Sequence, residues 1–195
     1  NDQVEVSDSA SLDITATLTL ATWVRADAFE SWDGLINKGQ SNIAYGLSFT
    51  SDGRLAFQAN YGSVTGGNGS SFQYSNARIT TGRWHHVAVT YDGNNVQFYI
   101  DGQLDSTHQA DITFGTNNEA LMLGADLTGS HLDGALDDAR VYGRALSAEE
   151  ITQITTGTNS GSDSNNHSAL PNGEIYNGSL YLLTDTVMTW ADAQA

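Results

Sequence analysis

Not one of the 195 residues is cysteine. That absence excludes disulfides, thiolate zinc sites and cysteine nucleophiles together. Basic residues are scarce: seven, against 23 acidic ones, for a formal net charge of −16. A surface of that sign repels phosphate backbones and anionic lipid, which speaks against nucleic acid and anionic membranes as partners. No apolar run approaches the roughly 18–20 residues of a membrane helix, so membrane insertion is not expected. Proline occurs once. The chain starts Asn1-Asp2-Gln3 without a signal sequence and reads as an excerpt of something longer.

What is present is 39% hydrophobic residues, enough for one well-buried domain. Asp outnumbers Glu by 17 to 6. Aspartate serves in turns and as a short-reach oxygen ligand, so the skew fits a loop-rich protein that uses calcium, and equally a solvated surface in salty surroundings. An acidic, glycine- and hydroxyl-rich chain without cysteine points to a bacterial protein at the cell surface or outside the cell.

The hydrophobic period is two rather than 3.6. Strands are expected at Leu18 to Arg25, Leu35 to Lys38, Tyr45 to Phe49 and Arg54 to Gln58. His86 to Tyr91 and Val96 to Ile100 flank Asp92-Gly93-Asn94-Asn95, a hairpin signal because Gly and Asn accept positive φ. Ala120 to Gly124 and Leu136 to Tyr142 supply late strands. Ser147-Ala148-Glu149-Glu150 has the form of a capping box, with Ile151 and Ile154 as the apolar stripe of one short helix. The pattern predicts an all-β, antiparallel two-sheet sandwich with one short C-terminal helix. Residues 1–156 form this domain and 157–172 a polar linker. Residues 173–195 form an extension.

Trp84-His85-His86-Val87-Ala88-Val89-Thr90-Tyr91-Asp92-Gly93, followed by Phe98-Tyr99-Ile100-Asp101-Gly102, resembles the laminin-G-like, concanavalin A-like jelly rolls. Val4 to Val6, Leu20 to Val24 and the run from Leu136 to Ser147 match that family's opening and closing segments in order. The resemblance covers about residues 1 to 155. Trp84, Val87, Val89 and Tyr91 are expected in the core between two sheets about 10 Å apart. In the tail, Leu180-Tyr181-Leu182-Leu183 and Thr189-Trp190-Ala191-Asp192-Ala193 are similar to the opening of a C-type-lectin-like domain.

Enzymes share the jelly roll, so catalysis has to be weighed. A retaining glycosidase of this kind sets two carboxylates about 5 Å apart, on alternate residues of one strand. No Glu-x-Asp-x-(x)-Glu run occurs. Glu149-Glu150 falls on the helix, and Glu30-Ser31-Trp32-Asp33 has the wrong spacing. His85 and His86 are adjacent, so their rings point to opposite faces. No Gly-x-Ser-x-Gly elbow or phosphate-cradling loop is found. The expectation is a non-enzyme.

The resemblance implies calcium in two places. A structural ion would join Asp137, at the family's closing-strand aspartate, to an N-terminal partner, Asp2. A rim ion would draw on Asp52, Asn60, Asp105, Asp126, Asp133 or Asn117-Asn118-Glu119, among which spacing does not choose. For the ligand, the segment from Asn60 to Tyr74 stands out as long, polar and flexible. Its Tyr61, Phe72 and Tyr74 could stack on sugar rings while Asn60 and Asn68 read hydroxyls. The expected function is a calcium-dependent carbohydrate-binding module of a multidomain extracellular or cell-surface bacterial protein such as an adhesin, with glycans or polysaccharide as partners. The rivals are a structural spacer or protein-binding domain, or an accessory module of a secreted glycoside hydrolase.

Overall fold

The computed structural model describes residues 3–69, 71–125 and 130–157, and the backbone of 175–176 and 179–181. The strands are β1 (Val4–Val6), β2 (Leu18–Ala26), β3 (Asp33–Lys38), β4 (Ile43–Phe49), β5 (Leu55–Tyr61), β6 (Ser71–Tyr74) and β7 (Trp84–Tyr91). They continue as β8 (Asn95–Ile100), β9 (Gln103–Gln109), β10 (Leu121–Leu123), β11 (Gly134–Tyr142), β12 (Ile175–Tyr176) and β13 (Ser179–Tyr181), with helix α1 (Ala148–Thr156) after β11. Two antiparallel sheets result. The front sheet runs β1-β10-β3-β4-β5-β6 and the back sheet β12-β13-β11-β2-β7-β8-β9. This is the sandwich that the period-two pattern predicts.

Alternation fills the space between the sheets. Ile36, Leu47, Phe49, Leu55 and Phe57 enter from the front, and Leu20, Val24, Val87, Val89, Tyr91 and Phe98 from the back. Phe114, on the chain between β9 and β10, meets Tyr45, Phe57 and Tyr91 edge-on at 6.1, 6.2 and 5.4 Å. Trp84 departs from the expected core placement. It is out of phase with Val87 and Val89, is 36% exposed, and lies under the Arg25 guanidinium at the end of the back sheet.

The β7–β8 turn is built as expected, with one difference. Gly93 alone takes positive φ, at 102°, and the Asp92 carboxylate accepts from the Asn94 and Asn95 amides. After β11 the chain folds back across the back sheet. The capping box forms: Ser147 Oγ accepts from the Glu150 amide and the Glu150 carboxylate accepts from the Ser147 amide. Ile151 and Ile154 then bury against Ala21, Ala88, Tyr99 and Tyr142. Thr155 Oγ1 lies 2.9 Å from His86 Nδ1, joining the helix to the sheet. Helix α1 thus covers the outer face of the back sheet. The outer face of the front sheet has no such helix among the described residues.

Candidate functional site

The register of the front sheet decides which side chains reach its outer face. Phe72 and Tyr74 of β6 stand opposite Gln58 and Ala56 of β5, and these stand opposite Gly46 and Ser48 of β4. Asn37 of β3 completes the row beside Gly46. The β3–β5 residues of this row are small or polar, and Asn37, Ser48, Ala56 and Gln58 are buried. Close packing requires the glycine: a Cβ on Gly46 would meet Asn37 Oδ1 at 2.1 Å. Asn37 Oδ1 and Ser48 Oγ are buried and accept or donate no hydrogen bond.

Aromatic rings rise along the β6 side of these residues. Phe72 and Tyr61 are 37% and 46% exposed, among the few large apolar side chains open to solvent. Phe72 meets Trp32 edge-on at 5.7 Å and Tyr61 at 6.1 Å. Trp32 reaches this row from the turn before β3, held at φ 71°. Phe72 thus packs edge-on between Trp32 and Tyr61, so the three rings hold one another in place. Trp32 has no part in the sequence-derived candidate set. Its signal is a large aromatic in an otherwise polar turn.

Tyr74 stands apart from this row. The Arg54 guanidinium sits 5.4 Å over its ring and covers the face a sugar would use. Asp52 in turn is engaged by Arg54 at 3.2 Å and Arg78 at 2.7 Å, and by Thr50 Oγ1 at 2.6 Å. The Thr50 hydrogen bond and the two guanidinium groups hold its carboxyl at about 2. Two guanidinium groups on one carboxylate leave little attraction for a metal cation, so the geometry commits Asp52 to an ion-pair network.

The segment from Asn60 to Tyr74 is pinned rather than flexible. Asn60, at φ 54°, donates its amide to the carbonyls of Asn68, Gly69 and Thr113 and accepts from the Gly115 amide. These hydrogen bonds make Asn60 the anchor of the loop. Asn68 and Thr113 exchange backbone hydrogen bonds at 2.9 and 3.1 Å, and Thr65 and Thr116 do so at 2.9 Å each way. The Asn68 side chain is exposed.

This stitching creates a cleft of about 510 Å³ at the same end of the sandwich, bordered by Asn42, Ser63, Thr65 and residues 116–119. Glu119 braces one wall, accepting from the amides of Gln40, Ser41 and Asn42 and from Asn42 Nδ2. Below it lies Lys38, whose side chain is wholly buried. Its Nζ donates to Asp8 Oδ1 (2.8 Å), Asn117 Oδ1 (2.9 Å) and the carbonyls of Asn117 (3.0 Å) and Glu119 (2.6 Å). The oxygens at this rim converge on a cation, and the cation is the protein's own ammonium.

Calcium takes six to eight oxygens, usually several of them carboxylates. Among the described residues no three His, Cys, Asp or Glu side chains are grouped to hold a metal. Asp105 accepts from the Asn76 and Ala77 amides, bracing the chain after β6. Asp133 holds the Asp27 amide through its carbonyl. Asp137 sits opposite Trp23 on the back sheet and accepts from the Asp138 amide, whereas β1 runs along the edge of the front sheet. Asp2 and Asp126 lie outside the described residues. Among the described residues the rim thus brings together no carboxylate set for a calcium ion, and Asp137 offers one carboxylate.

The two histidines diverge as adjacent strand residues must. His85 links Thr80 Oγ1 (2.9 Å) to Asp101 Oδ2 (2.8 Å). Asp101 also accepts from the His86 amide, so the chain fixes the turn after β8. His86 is buried beneath α1, and that burial lowers its pKa to about 4.

A family model described as Laminin_G_3, the concanavalin A-like lectin/glucanases superfamily, matches residues 1–152. No curated protein is matched. Among solved structures, a candidate carbohydrate-binding protein from Bacteroides ovatus is similar with a TM-score of 0.64 at 15% identity, over 78% of this chain and 44% of its own. Domain 4 of AbnA, a GH43 extracellular arabinanase from Geobacillus stearothermophilus, in complex with arabinotriose, has a TM-score of 0.61 at 19% identity, over 78% of this chain and 72% of that one. CBM40 of the Ruminococcus gnavus IT-sialidase, bound to α2,3-sialyllactose, has a TM-score of 0.61 at 16% identity, over 80% and 97%. These are likenesses of fold. The chain spans less than half the length of the first of them.

Proposed function

The chain belongs to the concanavalin A-like lectin/glucanases superfamily, and from that membership we propose that it is a non-catalytic carbohydrate-binding module holding neutral glycans on the outer face of its front sheet. The observation that carries this reading is the row Trp32–Phe72–Tyr61, in which Phe72 touches both neighbours and Phe72 and Tyr61 are exposed, on the sheet that faces away from α1. Exposed aromatics beside polar side chains are what sugar recognition requires: apolar ring faces for C–H groups, amides and hydroxyls for OH groups. The structural relatives solved with arabinotriose and sialyllactose support sugar as the ligand class.

Charge selects among sugars. Six of the seven cations are engaged with carboxylates: Arg25, Lys38, Arg54, Arg78, Arg140 and Arg144. Arg83 lies beside Trp84, at the end of the back sheet. The aromatic row thus has no free guanidinium or ammonium for a carboxylated sugar, and the −16 background opposes one. Neutral oligosaccharides are the favoured class.

The binding reading routes nothing through calcium. The calcium proposal that persists is a structural ion at Asp137, and chelation tests it. A place in a secreted or cell-surface protein fits the same reading, as does appendage to a glycan-active enzyme. The decisive experiment is a glycan array carrying neutral and sialylated oligosaccharides, probed with calcium and with EDTA. The expected result is signal on a related set of neutral glycans in both conditions. A blank array from folded protein turns the assignment to a spacer or protein-binding domain.

A further inference from the structure

We infer that the cleft between the β3–β4 turn and the segment preceding β10 is a second saccharide subsite, which takes the end unit of a neutral glycan whose preceding units lie on Tyr61 and Phe72. This inference rests on the glycan reading above.

Three observations converge. The first is size: about 510 Å³ falls within the roughly 300–1,000 Å³ of small-molecule sites. The second is a rigid frame with spare hydrogen-bonding groups. Thr65 and Thr116 lock the two walls through their backbones, Glu119 holds the turn at Ser41 and Asn42, and Asn42 Oδ1 accepts from the Ser63 amide. The side-chain hydroxyls of Ser63, Thr65 and Thr116 and the amide of Asn118 border the cleft, and none of them has a hydrogen-bond partner in the described protein. A fixed frame carrying four uncommitted hydroxyl and amide groups is preorganised to read ligand hydroxyls at low entropic cost.

The third is continuity. Tyr61 ends β5 opposite Ile43, and Gly62 turns the chain at φ 76° so that Ser63 enters the cleft wall two residues later. A side chain on Gly62 would strike Asn42 Oδ1 at 2.7 Å, so the turn packs closely on the β3–β4 turn. The aromatic row thus leads into the cleft. The charge at the cleft selects as it does on the row. Burial acts to raise the Glu119 carboxyl, but the amides of Ser41, Gln40 and Asn42 outweigh it and hold the group below the usual carboxylate range. The charged side chain that borders the cleft is negative at neutral pH, with the Lys38 ammonium buried beneath it, and this disfavours uronic and sialic acids at the end position.

The test is isothermal titration of arabinotriose, xylotriose, cellotriose and maltotriose into the wild type and three variants. Thr116→Val with Asn118→Ala removes cleft groups at little cost to the frame, Thr65→Val repeats the loss on the other wall, and Tyr61→Ala removes the row. For the trisaccharides that bind, about a tenfold loss of affinity is expected in each cleft variant, with an unchanged melting temperature, and a loss of at least that size in Tyr61→Ala. Cleft variants that bind like wild type while Tyr61→Ala is weakened overturn this inference and leave the glycan reading standing. Loss in the cleft variants alone overturns the single chain spanning both subsites. No heat from any of the four sugars, with a blank glycan array, overturns both readings.

Discussion

At the scale of single residues, exposure and commitment separate side chains that look alike in the sequence. Phe72 and Tyr74 are two apart on one strand and share a face, yet only Phe72 is open. Arg54 caps Tyr74. Titration calorimetry with a bound neutral glycan should therefore show a loss of about tenfold for Phe72→Ala, near the 0.5–1.5 kcal/mol of an aromatic contact, and less than twofold for Tyr74→Ala. Equal losses would place the sugar elsewhere on the sheet. The exposure of Tyr61 and Phe72 agrees with their standing out in the sequence as aromatics in a polar segment. Trp32 did not stand out, because its contact with Phe72 depends on a positive φ in a turn and on a strand 40 residues away. Lys38 was legible only as a strand residue. Its partners, Asn117 and Glu119, lie 79 and 81 positions along the chain. Lys38→Met strips the ammonium from a buried oxygen cage. Urea denaturation should register a loss of about 3–5 kcal/mol, since the remaining acceptors stay buried without a donor. A variant as stable as wild type would remove Lys38 as the cation of this rim.

Among the elements, helix α1 and the loop after β5 show how sequence signals succeed and fail. The capping box at Ser147 is local, four residues long, and was readable outright. So was the inward phase of Val87, Val89 and Phe98, because burial on one face of a strand leaves a period of two. The rigidity of the loop after β5 was not readable. It comes from Asn60 reaching Thr113 and Gly115, 53 and 55 residues away, and no local pattern encodes that pairing. The docking of α1 carries a pH dependence. Desolvation beneath the helix is the main cause that takes His86 from 6.5 to about 4, with Asp138 and Asp101 acting to raise it and Arg140 to lower it. The unfolded chain then binds a proton that the folded chain refuses, so stability is full above about 6.5, falls as pH drops towards about 4, and levels off for this group below that. Melting temperatures followed from about pH 7 to about pH 4 should decline, and His86→Gln should flatten the decline. A variant with the wild-type slope would show that other groups set it.

For the whole molecule, the division of labour between faces matters more than any motif. One sheet carries the helix and the other the contacting pair Phe72 and Tyr61, while the exposed Trp84 of the back sheet stands alone under Arg25, so the proposed ligand lies at the front. The sign of the charge was legible from composition; that nearly every cation is already engaged was not, because ion pairs such as Arg78–Asp52 join distant segments. Calcium enters at this scale too. If Asp137 holds a structural ion, EDTA should lower the melting temperature and excess calcium restore it, since a ligand of the native state alone stabilises that state. An unchanged melt would remove calcium from the account and leave glycan binding untouched. The central claim is the face, and the most direct measurement is a ¹⁵N chemical-shift titration with the neutral oligosaccharide that binds best. The account predicts the largest shifts at Phe72, Tyr61 and the indole N–H of Trp32. Shifts centred on α1 and β7, or none at saturating sugar, would contradict it.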